Sequence, residues 1–67
     1  MRVLLRNCDT GLYFQSRDHW TNDAAKALDF KSSARAVQAV TELRLQNMDI
    51  ILAFDDPAYD IRWPLTL

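Results

Sequence analysis

Cys8 and His19 are the chain's only thiol and only imidazole. An imidazole can activate a thiol by taking its proton, provided the two side chains meet. Nothing in the spacing brings them together: Cys8 ends a strand-like run and His19 sits in a polar stretch. The plainer reading is a small packing residue and a solvent-exposed histidine. Ordinary alkylation kinetics at Cys8 would close the catalytic idea.

Asp55, Asp56 and Asp60 place three carboxylates around one turn. Hard cations such as calcium want several oxygen ligands. A calcium loop of the EF-hand type needs more ligands and a glycine at its bend, and this stretch has neither. Capping of a turn at Pro57 is the plainer use of these aspartates. Eight lysines and arginines are scattered from Arg2 to Arg62. If some converged beside Tyr13 or Trp20, they would form the charged stacking surface that single-stranded nucleic acid needs. The formal net charge of -1 argues against that partner, because phosphate neutralisation supplies most of such affinity. A single glycine leaves no loop to cradle phosphate, and no serine lies in a nucleophile-elbow context. No catalytic residue, metal site or cofactor is assigned, and the chain is expected not to be an enzyme.

The elements that would position any site begin with size. At 67 residues the chain makes one domain, residues 1–67, near the lower limit for a core that folds unaided. Hydrophobic residues at 49% and charged residues at 25% describe an ordinary globular protein rather than a disordered one. Of the nine acidic residues only Glu42 is glutamate, so the acids read first as turn and cap formers. One cysteine excludes an intrachain disulfide framework. The N-terminus has no signal-peptide pattern, and no stretch approaches the ~20 apolar residues of a membrane span. A soluble, cytoplasmic protein is the expectation.

Arg2 to Asn7 and Leu12 to Gln15 form two expected strands about an Asp9-Thr10-Gly11 turn. Gly11 is expected at positive φ, so Gly11→Val should damage the turn. Ser16 to Asp23 is expected to be loop, with Trp20 capping one end of the core. Residues 24–30 are ambiguous between helix and strand, and a strand over Ala27 to Phe30 is preferred. Ser32-Ser33 suggests a helix N-cap. Ala36, Val40 and Leu43 then share a face, flanked by Val37 and Ala39, with Arg35, Gln38 and Glu42 opposite. The helix should end near Arg44 to Gln46, with Leu45 turning back to the core and Asn47 a plausible terminator. Asp49 to Phe54 is a strand that Asp55-Asp56-Pro57 stops. Tyr59 to Leu67 is an edge strand or an extended tail. The expected fold is α+β: a three- to four-stranded, mostly antiparallel sheet with one helix on one face, in the order β-β-β-α-β plus the tail.

The Ile50–Phe54 run does not alternate as a half-wet strand should. With Ile50, Leu52 and Phe54 facing the helix, Ile51 and Ala53 face the other side. Leu4 and Tyr13 join them there if Val3, Leu5, Leu12 and Phe14 face the helix. That second face needs a cover, and three are available: the folded-back tail with Tyr59, Ile61 and Trp63, a second copy of the chain, or another protein.

The segments TGLYFQ, DFKSSARA and DIILAFDDPAYDI resemble small bacterial proteins of unknown function over nearly the whole chain. GLYFQ and SSARA are also similar, more distantly, to the strand-strand-strand-helix units of short bacterial stress-associated repeats, without their glycine-rich turns and lysines. Neither resemblance implies an activity.

The reading is a non-enzymatic interaction or structural domain that self-associates as a homodimer or binds another protein. Its candidate surface is Tyr13, Ile51, Tyr59, Ile61 and Trp63. Ile51→Asp should abolish a dimer and leave a folded monomer. The alternatives are a small nucleic-acid-binding regulator, and a binder of a small molecule or peptide in a groove between helix and sheet.

Overall fold

A computed structural model describes residues 1–65. The expected α+β class is present: one helix lies on one face of a five-stranded, wholly antiparallel sheet. The strands are β1 (Arg2–Asn7), β2 (Tyr13–Ser16), β3 (His19–Thr21), β4 (Met48–Ala53) and β5 (Ile61–Pro64), in the spatial order β3-β2-β1-β4-β5. The helix, α1 (Ser33–Leu43), stands between β3 and β4 in the chain. The sheet has more strands than expected because β3 forms inside the supposed loop and the tail becomes β5. The last two residues of the expected tail lie outside the described residues.

The β1–β2 turn is built on Asn7. Its Oδ1 accepts from the N–H groups of Asp9 and Thr10 at 2.8 and 3.1 Å. Gly11 has φ 75°, the left-handed region expected of it. Trp20 on β3 packs edge-on against Phe14, ring centres 5.5 Å apart, so an aromatic contact specifies a strand that propensity alone did not reveal.

Residues 27–30 are not a strand. β1 and β2 pair in register at Arg6↔Tyr13, and the chain after the Ala24–Lys26 3-10 turn wedges against both. Leu28 N–H donates to the Phe14 carbonyl at 3.0 Å and Phe30 N–H to the Val3 carbonyl at 2.8 Å. Val3 N–H finds its acceptor in a side chain, Asp29 Oδ1, at 2.9 Å. A carboxylate thus stands where a ladder carbonyl would be. These bonds hold the Asp29 carboxyl below its usual range, first the Val3 N–H and then that of Lys31, with Arg2 and Lys31 assisting by charge against a desolvation penalty.

The helix follows its periodicity. Ser32 accepts from Arg35 N–H as N-cap, and Ala36 and Val40 are buried. Its end is a Schellman motif: Arg44 is left-handed at φ 53°, and Leu45 N–H donates to the Val40 carbonyl at 3.0 Å, which returns Leu45 to the core. Asn47, also left-handed, accepts from Cys8 N–H at 2.8 Å and so ties the loop to the β1–β2 turn.

The two sheet faces divide as the β4 pattern requires. Val3, Leu5, Phe14, Met48 and Ile50 form the core under α1. Leu4 and Ile51 face the other way, with Tyr13 and Ala53 packed beside them. The cover on that second face is the 3-10 segment, through Ala24 and Ala27. The tail does not supply it. Arg2 fastens the segment with bonds from Nη1 to the Ala24 carbonyl and Nη2 to the Ala27 carbonyl, 2.8 and 2.7 Å. The expectation that Phe54 faces the helix also fails: it falls beyond β4 and is exposed.

Candidate functional site

β5 continues the β4 ladder as a hairpin partner. Ile50 pairs with Trp63 and Leu52 with Ile61. Directly opposed residues share a face, so Ile61 and Trp63 lie on the helix side of the sheet. The helix does not reach them. An α-helix is about 10 Å across and strands lie about 4.8 Å apart, so α1 covers roughly two of five strands. Trp20 and Phe30 fill the β2–β3 side beside Phe14. No described side chain does the same over β5, where Trp63 is 64% and Ile61 49% exposed. Tyr59, at the end of the Pro57–Tyr59 3-10 turn, is 70% exposed.

Beside this ridge lies an open hollow of about 670 Å³ lined by Val40, Thr41, Arg44, Leu45, Met48 and Leu65, among others. Leu65, just past β5, is two positions from Trp63, and its N–H donates to the Met48 carbonyl at 3.0 Å. Strand alternation therefore turns the backbone groups of Ile61 and Trp63 toward β4, and those of Arg62 and Pro64 outward. Pro64 has no N–H, so the free edge of β5 is short of donors.

The opposite face carries Arg6, Asp49 and Arg62. Arg6 is the register partner of Asp49 on β1. Arg62 Nε lies 3.8 Å from Asp49 Oδ2. Asp49 is only 3% exposed, and its Oδ2 has no hydrogen-bond partner among the described residues. Arg62 offsets that charge and is itself partly neutralised, which weakens this face as a phosphate-binding surface.

The sequence-derived surface is thus split. Tyr59, Ile61 and Trp63 are exposed along the β4–β5 hairpin. Tyr13 is half-buried on the other face, and Ile51, 7% exposed, lies beneath Ala27. Ile51→Asp would put a charge into that packed layer, so it is a fold-breaking change and not the clean surface change the sequence suggested. Cys8 and His19 sit apart: Cys8 is in the turn before β2, whereas His19 bonds Ser16 Oγ at 3.0 Å beyond its far end. Asp56 accepts from Ala58 N–H and Asp60 from Phe54 N–H, as turn caps do. Among the described residues no group of three or more His, Cys, Asp or Glu side chains could hold a metal ion. No helix among them is long and apolar enough to cross a membrane.

The hollow has no local signal because its far wall, Leu65, lies distant in the chain from residues 40–48, which form the rest of it. The ridge had a signal: Ile61, Trp63 and Leu65 alternate with Arg62 and Pro64. Compared with protein-family models, curated proteins and solved structures, the chain matches none of them. The likeness to small bacterial proteins and stress-associated repeats therefore assigns nothing further.

Proposed function

We propose that this chain is a non-enzymatic interaction domain that self-associates through the outward ridge of β5. The observation that carries the reading is the pair Ile61 and Trp63, 49% and 64% exposed side by side on one face of an edge strand. A small domain gains from burying a tryptophan, and a contiguous exposed apolar ridge usually marks a contact surface. Tyr59, in the turn before β5, adds a further exposed aromatic. Among the described residues no group of His, Cys, Asp or Glu side chains that could hold a metal competes for the role. A cytoplasmic setting goes with the reading, since a reducing compartment keeps the exposed thiol of Cys8 unpaired.

The area sets the strength. Aromatic side chains bury roughly 150–250 Å² each, so Tyr59 and Trp63 together offer on the order of 200–350 Å². A standard interface takes about 800 Å² per partner. Even with the hollow added, association should be weak and concentration-dependent.

Light scattering over a concentration series tests the reading. The wild-type mass should rise from one copy toward two, while Trp63→Ser stays at one copy with unchanged far-ultraviolet dichroism. A wild-type mass of one copy throughout would overturn it.

A further inference from the structure

The geometry points to an antiparallel, two-fold homodimer in which Trp63 of each copy enters the hollow beside Leu65 of the other. It rests on the self-association reading and specifies its partner contacts.

Three observations support the arrangement. First, ridge and hollow are neighbours on one face. Trp63 on β5 and Leu65 just past its end are two residues apart, roughly 7 Å along extended chain. A knob beside a socket is self-complementary under a two-fold axis: one operation places both knobs in both sockets. Second, Pro64 removes an outward donor from β5, which disfavours edge-to-edge strand pairing and leaves face contact as the better route. Third, the charges at the two ends of the hairpin are opposite. Asp55, Asp56 and Asp60 lie in the loop between β4 and β5, and Arg44 lines the hollow at the other end. Antiparallel alignment brings Arg44 of each copy toward the other's acidic loop, whereas parallel alignment sets like charges together.

Arg44 and Asp55 suit a charge-reversal test because both are exposed and neither side chain makes a hydrogen bond among the described residues. Arg44→Glu alone and Asp55→Lys alone should each weaken dimerisation about tenfold or more, since each turns two attractions into repulsions. Mixed in equal amounts, they should recover a mass near two copies at concentrations where neither associates alone. In that pair the new carboxylate at position 44 faces the new ammonium at position 55, and the native contact survives on the other side. Wild-type dimers whose association ignores both reversals, or variants that stay monomeric when mixed, would overturn this arrangement and leave self-association standing. A wild-type chain that never dimerises would overturn both.

Discussion

Residues 24–30 and residues 59–65 are similar in kind: each is mostly apolar, lacks glycine, and carries one aspartate and one cation. They finish in opposite situations. The first closes the sheet, with Ala27 buried over Leu4 and Ile51 and Phe30 under the helix side. The second pairs along the sheet edge and leaves Tyr59, Ile61 and Trp63 in water. The aspartates show why. Asp29 reaches across the chain to Val3 N–H and secures its segment against a central strand. Asp60 bonds Phe54 N–H, six residues away, and only closes its own loop. Apolar content gives a segment a reason to be buried, but the reach of its polar groups decides where it can be fastened.

The sharpest way to break this contrast is to remove an apolar side chain from beneath each segment's territory. Leu4→Ala, under the first segment, should cost about 2–5 kcal/mol, as a fully buried leucine does. Ile61→Ala should cost less than about 1 kcal/mol, because the side chain is already half in water. Urea denaturation at low protein concentration measures both, and equal losses would erase the distinction.

A second, smaller effect bears on what holds β5. Arg62→Ala should cost about 1–2 kcal/mol, since it removes the ion-pair partner of the buried Asp49 carboxylate. Asp49→Leu should lie within about 1 kcal/mol of wild type in either direction, because the charge and its desolvation penalty leave together. If Asp49→Leu proves the more damaging of the two, the ion pair is a stronger fastener than its 3.8 Å separation implies.

The smallest expected effect concerns acid. Asp29 titrates below the ordinary 3.8 in the folded chain. Its contribution is therefore present in full above that value and is lost as pH falls toward the lower folded one. Asp29→Asn should remove this component, so the variant's stability should fall less steeply through the acid limb. Parallel acid limbs for the two proteins would mean that Asp29 does not fasten the segment.

Much of the fold was legible because it rests on local periodicity. The helix face of Ala36 and Val40, the return of Leu45 and the two-sided character of β4 are set by residues within a few positions of one another. So was Gly11, whose turn demands positive φ. β3 was hidden because only a tertiary contact, Trp20 on Phe14, gives that polar stretch an apolar anchor. The strand preferred over Ala27 to Phe30 does not form, because Val3 N–H bonds the Asp29 carboxylate in place of a ladder carbonyl, which no strand pattern encodes. Of the candidate surface, the alternation through Ile61, Trp63 and Leu65 was visible. Its separation from Tyr13 and Ile51 depends on a ladder register that the sequence does not display.

The outward position of Pro64 also bears on the strand beside β5. The Ile50–Phe54 run is β-prone and uncharged, the kind of segment that seeds amyloid when its edge is bare. In the folded chain β1 shields one side of it and β5 the other, and β5 in turn presents a side with a missing donor. The terminal strand thus acts as a gatekeeper: it occupies the hazardous edge and offers newcomers a poor template. Closing the β4–β5 hairpin therefore guards the Ile50–Phe54 run against runaway polymerisation.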